Sequence, residues 1–226
     1  MPEASMYWER VERLVTRCGD HAADEAMINA IDEASKAGDT LGGVFLVVVY
    51  GVPPGLGSHV HWDRKLNARL AAALMSINSV KGVEIGVGFE GGCKPGSGYH
   101  DSIIWDQSRG WTHSSNNAGG IEGGMSNGEP IALRCVAKPI PTLMNPLPST
   151  DLKSKQPAMA ARERSDVCVV PAAGVVGEAM VALVLADAFL EKFGGDSVVE
   201  IGHNYQAYLS TITEDVRDFK ISPEPA

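Results

Sequence analysis

Arg164 and Asp166 stand two positions apart at the head of the run RSDVCVVPAAGVVGEAM, and Glu178 lies near its end. An arginine holds phosphate or carboxylate through paired hydrogen bonds, and an aspartate beside a ligand nitrogen can accept or relay a proton. The same two residues also read as a local ion pair of little consequence, and residue types alone leave both readings open. Glu178 falls in an apolar helix, where an unpaired charge is expensive, so a hydrogen-bonded structural acid is expected there. Lys138, between a strand and the turn Pro139-Ile140-Pro141-Thr142, could place a point charge on phosphate; for an isolated lysine, a solvated strand end is the simpler reading. The run Asn116 to Gly128 is rich in glycine, which permits close backbone approach to a ligand. Its composition favours tight turns between strands, and it carries neither a P-loop nor a GxGxxG fingerprint. His59 and His61 form an HxH pair without a third ligand and read as loop histidines. His21, His100, His113 and His203 sit near no recognisable nucleophile motif.

These residues need elements to position them. Ala22 to Ala37 repeats apolar residues at helical spacing and ends at Gly38, a C-cap. Val44 to Tyr50 is apolar on both faces, which predicts a strand inside a sheet, or one whose second face meets another subunit. Asp63 to Val80 predicts a helix with Leu66, Leu70, Leu74 and Ile77 in one stripe. Lys81 to Phe89 and Ile131 to Ala137 read as strands, and Asp101 to Trp105 as a short one. The remainder of Gly91 to Gly124 reads as a long loop, mobile without ligand, and Leu143 to Arg162 as irregular. Gly174 to Lys192 is apolar almost all round, which predicts a helix covered on every side. His203 to Thr213 reads as a last helix, with residues 219–226 a loose tail.

Composition narrows the function. The chain has 226 residues, 44% hydrophobic and 21% charged, with a net charge of -9. This length suits one large domain or two small ones; one domain over 1–226 is the expectation adopted. The acidic balance, without a basic stripe, argues against nucleic acid. The longest apolar stretch, Val175 to Leu190, is interrupted by Glu178 and Asp187, and the charged N-terminus does not read as a signal peptide, so no membrane is expected. Cys18, Cys93, Cys135 and Cys168 show no CxxC spacing, so neither zinc nor a redox dithiol is supported, and a reduced cytoplasmic protein is expected.

Five segments taken together resemble chorismate synthases: DTLGGV with GVPPGLGS, RLAAALMSINSVKGVEIG, NNAGGIEGGMSNGEPI, KPIPT, and RSDVCVVPAAGVVGEAM. They stand in the family's order, from Asp39 to about Gly195. The resemblance implies an α+β fold, a sandwich of central helices between antiparallel sheets. It also implies reduced FMN as cofactor, 5-enolpyruvylshikimate-3-phosphate as substrate, chorismate as product, a homotetramer, and a place in aromatic amino-acid biosynthesis. The reaction eliminates phosphate and a ring proton and is redox-neutral, with the cofactor supplying the difficult chemistry; some members reduce their own flavin with NADPH. By motif, Asn78 and Ser79 fall where the family contacts FMN through Asn-Ala. Gly123 falls on a flavin-contacting glycine; Lys138, Pro139, Ile140, Pro141 and Thr142 fall on the flavin segment. Arg164 falls on the family's arginine at flavin and substrate, and Asp166 on the acid to which the family's proton movement at the flavin is ascribed. The family's N-terminal motifs, with both catalytic histidines and the paired substrate arginines, do not occur here, and His59, His61 and His100 are not in their contexts. The expectation is therefore a C-terminal portion of the enzyme, an incomplete sandwich with little activity alone. A non-catalytic flavin-binding or assembly module is the alternative, and an unrelated flavin oxidoreductase is disfavoured by the ordered motifs.

Overall fold

The computed structural model describes residues 2–108 and 110–213. In chain order the elements are α1 (Pro2–Arg13), α2 (His21–Ala37), β1 (Gly43–Val49), α3 (Leu66–Met75), β2 (Val80–Ile85), α4 (Gly88–Gly91), α5 (Gly96–Tyr99), β3 (Ile103–Asp106) and β4 (Gly110–His113). They continue with β5 (Ile121–Glu122), β6 (Met125–Ser126), β7 (Ile131–Ala137), β8 (Pro148–Thr150), β9 (Pro157–Met159), α6 (Val170–Phe193) and α7 (Val198–Thr213). The fold is α+β.

A three-stranded antiparallel sheet, ordered β1-β7-β2, carries the helices. Alternation along β7 decides which face they cover: Ile131, Leu133, Cys135 and Ala137 are buried, while Arg134 and Val136 point the other way. Leu66, Leu70 and Leu74 of α3 are fully buried against that face, and α6 packs beside α3 on β1. Gly177 lets α6 come close, because a Cβ there would lie 2.8 Å from the Phe45 ring. α3 and α6 thus cover one face of the sheet, while α1 and α2 wall a cavity that reaches Val44, Leu46 and Val48 on the other face of β1; a second sheet of the expected sandwich does not occur among the described residues.

Several expectations need correction. β1 is an edge strand, not an interior one; Phe45 and Val47 are buried, whereas Val44 and Leu46 on its other face stay more than half exposed. α3 is shorter than predicted. The Ser76 hydroxyl donates to the Ala73 carbonyl, 2.6 Å, and Ser79 takes a left-handed φ of 73°, which turns the chain into β2. β2 stops at Ile85 because Gly86 (φ 60°) packs against backbone: a Cβ would sit 2.0 Å from the Asn117 carbonyl. Between Gly91 and Gly124 the chain forms α5 and the hairpins β3–β4 and β5–β6 rather than one loop, and β8–β9 is a small hairpin in the stretch expected to be irregular. α1 gave no sequence signal that was read, and α7 begins earlier than expected.

The α6 helix is not covered all round. Gly177, Val181 and Ala188 are buried, but Val175, Val176, Leu183 and Leu190 are 46–66% exposed. Overall apolarity reports total burial only when layers exist on both sides, and here the sheet lies on one. By length and composition α6 is also long and apolar enough to cross a membrane. Its two interior acids are paired, Glu178 with Arg17 and Asp187 with Arg69. The tail predicted for 219–226 lies outside the described residues.

Candidate functional site

Gly43, Ala137 and Val80 form one end of the sheet, and three chain segments meet there. The first is the turn after α3, where Asn78 is exposed and Ser79 half-buried. The second is Lys138 to Thr142. Its two prolines have no N–H and cannot continue a ladder, so it leaves the sheet as an irregular strap. The Lys138 N–H donates to the Ser79 carbonyl, 2.8 Å, which locks the first two segments together. The third segment carries Arg164 and Asp166. The Ser165 hydroxyl between them donates to the Thr142 carbonyl, 3.0 Å, and the Val167 carbonyl accepts from the Leu41 N–H, 2.8 Å.

Nine of the ten residues expected at the site, all but Gly123, thus lie on these three segments. Arg164 and Asp166 are exposed, and neither forms an ion pair among the described residues, so the local Arg164–Asp166 pair is not made. The Lys138 ammonium reaches only the Pro139 carbonyl, 3.4 Å away. The edge therefore carries two cations without carboxylate partners among the described residues, a carboxylate, the Asn78 amide, and an apolar ledge of Pro139, Ile140 and Pro141. That donor set fits a planar, anionic ligand: the cations suit phosphate or carboxylate, and the ledge suits a ring.

Gly123 lies elsewhere. It and Gly124, with φ of 60° and 94°, form the two-residue loop of the β5–β6 hairpin, where paired positive φ angles are required. The Gly124 carbonyl accepts from the Leu66 N–H, 2.8 Å, which ties the hairpin to the start of α3. That is the opposite end of the sheet, about 20 Å along a strand of this length. Gly119 and Gly120, earlier in the run, are closed by backbone. A Cβ on Gly119 would lie 2.2 Å from the Gly86 nitrogen, and one on Gly120 2.6 Å from the Pro130 carbonyl. Asp101, whose role no sequence motif marks, organises this run by accepting from the Ser115 hydroxyl and the Asn117 and Ala118 amides at 2.5–2.9 Å. Burial pushes its carboxyl up, but these donors outweigh burial and hold it below the ordinary aspartate value. The local signal was an aspartate followed, across a hairpin, by Ser-Asn-Asn.

Glu178 is the structural acid that was expected. It accepts from Arg17 at 2.9 Å, and Arg17 also pairs with Glu12 at 2.7 Å. Half-exposed rather than buried, Glu178 lines a cavity of about 650 Å³ between α1, α2, β1 and the start of α6. That cavity is apolar apart from this closed ion pair and a few hydroxyls and thiols, and none of the ten expected site residues lines it. It is not the ligand edge. His59 and His61 are exposed loop residues, and no group of metal-ligating side chains occurs among the described residues. Burial pushes the Cys135 thiol up to about 11, which makes it unreactive.

Fold and site together define an α+β protein with a three-stranded sheet, α3 and α6 packed on one face, and a polar strap-built edge at one end. A family model for chorismate synthase matches residues 5–190. The chorismate synthase of Pelobacter propionicus is 60% identical over 202 residues, covering 86% of this chain and 51% of that protein. That of Moorella thermoacetica is 56% identical, covering 92% and 55%. A crystal structure of chorismate synthase superposes with a TM-score of 0.78 at 43% identity, over 93% of this chain and 56% of that one. The chain belongs to the chorismate synthase family, a family of lyases in aromatic amino-acid biosynthesis, and spans about half the length of the curated relatives it matches.

Proposed function

We propose that this chain is the flavin-holding part of a chorismate synthase, the enzyme that converts 5-enolpyruvylshikimate-3-phosphate to chorismate by eliminating phosphate. The observation that carries this reading is the meeting of Asn78–Ser79, Lys138–Thr142 and Arg164–Asp166 on one edge, in a chain of this family. Bound there, reduced FMN would supply electron density as phosphate leaves and a nitrogen to take the ring proton. The chain's own residues hold and orient. Lys138 and Arg164 meet anionic groups, the Pro139–Pro141 ledge supports the ring, Thr142 and Asn78 offer hydrogen bonds, and Asp166 accepts or relays the proton at the ring nitrogen. Gly123 belongs to the same reading as a flavin contact, one that has to span the length of the sheet.

The substrate carries two carboxylates and a phosphate, and of the residues assigned to this edge two are cations, Lys138 and Arg164. The isolated chain should therefore have little activity, and the complete enzyme should work as a cytoplasmic homotetramer without membrane or nucleic-acid partners; the net charge of -9 supports the last point. The test is a fluorescence titration with FMN followed by turnover with reduced FMN and substrate. Quenching that weakens in Arg164→Ala, with turnover far below that of a full-length relative, is expected; full turnover by this chain would overturn the claim of low activity. A second reading, a non-catalytic assembly module, is favoured by the exposed apolar face of α6. Absence of quenching at high protein concentration would support it.

A further inference from the structure

We infer that Thr40 is the positioning residue of the ligand edge, the group that holds the Lys138–Thr142 strap and the Arg164–Asp166 strap in one arrangement; its relevance to flavin rests on the function proposed above. The strap Lys138 to Thr142 cannot shape itself. Its prolines donate nothing, and the Ile140 carbonyl between them takes its donor from outside the strap. Thr40 supplies one: it is buried, 7% exposed, and its hydroxyl donates to the Ile140 carbonyl at 2.7 Å. This bond falls midway between the other two anchors of the strap, the Lys138 N–H on Ser79 and the Thr142 carbonyl on Ser165.

The neighbours of Thr40 extend the clamp in both directions. Asp39 accepts from the Thr40 N–H at 2.7 Å, which fixes the backbone that aims the hydroxyl. Leu41 donates to Val167 and pairs in parallel with Cys168, so the next residue along holds the second strap. At Gly42 a Cβ would sit 2.4 Å from the Ala137 carbonyl and 2.9 Å from the Pro139 nitrogen, so this stretch lies directly against the root of the first strap. The whole segment is suspended between two rigid elements. It leaves α2 at Gly38, which caps the helix with φ 70°, and enters β1 at Gly43. A hydroxyl here is a hydrogen bond to a ligand-bearing segment rather than a ligand contact. Threonine's branched Cβ restricts χ1 and keeps the hydroxyl aimed.

The test compares Thr40→Val, Thr40→Ser and the parent chain by amide hydrogen exchange and by titration with FMN. In Thr40→Val, exchange at the Lys138 and Leu41 amides should speed at least about tenfold while the Ile131–Val136 ladder keeps its protection. Affinity for FMN should fall about tenfold, the worth of one well-placed hydrogen bond. Thr40→Ser should restore both. A general loss of stability would instead speed exchange in the ladder as well, and serine would not reverse it. Unchanged exchange at Lys138 and Leu41 in Thr40→Val overturns the inference. If the valine variant does not fold, Thr40→Ser decides: lost protection at those two amides despite a retained hydroxyl overturns it. Should the parent chain bind no FMN, the proposed function fails, while the exchange data still judge Thr40.

Discussion

The two ends of the β1-β7-β2 sheet are built on opposite plans. At the Val49–Ile131–Ile85 end, backbone packs on backbone: Gly86, Gly119 and Gly120 leave no room for a Cβ, and Asp101 gathers the amides of the run. At the Gly43–Ala137–Val80 end, proline-containing straps turn away from the sheet and leave Asn78, Lys138, Arg164 and Asp166 at the surface or half-buried. Gly86, Gly119 and Gly120 at the first end serve backbone packing, whereas Gly123 has open space around it. At the second, Arg164 and Asp166 are exposed and form no ion pair among the described residues, and this is the end proposed above for a ligand.

The contrast can be broken in order of expected effect. Gly86→Ala should be the most damaging, at about 3 kcal/mol or more, because a backbone clash adds to an unfavourable φ; urea unfolding measures it. FMN affinity per folded molecule should not change. Arg164→Ala should do the reverse: affinity for FMN falls about 10- to 100-fold, while the urea midpoint moves by no more than about 0.5 kcal/mol, as expected of an exposed residue. Equal stability losses in both variants would erase the distinction.

Asp101→Asn should cost about 1–2 kcal/mol at neutral pH through its charge-assisted bonds. Its folded carboxyl titrates below the unfolded value, so its contribution is complete above the ordinary aspartate range and is lost as pH falls through the folded value. The melting temperatures of parent and variant should therefore converge in acid; a gap that widens there would contradict the assignment. Gly123→Ala should have the smallest effect, about 1 kcal/mol from its positive φ, since open space surrounds the new Cβ. It also sharpens the comparison. If it weakens FMN as much as Arg164→Ala does, the two ends serve one ligand; if it leaves binding intact, the glycine belongs to the hairpin alone.

Much of this was legible in the chain. Ile131 to Ala137 alternates so regularly that strand and buried face could both be read, and Gly38 marked the end of α2. Leu66, Leu70 and Leu74 announced the α3 stripe, yet the helix stopped early because Ser76 and Ser79 turn the chain by local hydroxyl bonding and a left-handed φ, which periodicity does not register. Val44 and Leu46 looked like interior residues, and α6 like a fully covered helix, because apolarity records what a surface can pack against and not what is present to pack. For the edge, KPIPT and RSD could be picked out by motif, but the separation of Gly123 from them could not, since it depends on which end of a shared strand each loop leaves.

By itself the sequence determined the family, the identity of the main elements and the residue types on offer at a ligand edge, because periodicity, caps and ordered motifs are local properties. Only the tertiary structure decided that β1 is an edge strand, that one face of α6 stays open, that Glu178 answers Arg17, and that Thr40 bonds Ile140 one hundred residues along the chain while its neighbour Leu41 bonds Val167. Each of these depends on contacts between distant segments, and those exist only once the sheet has set its strand order and register.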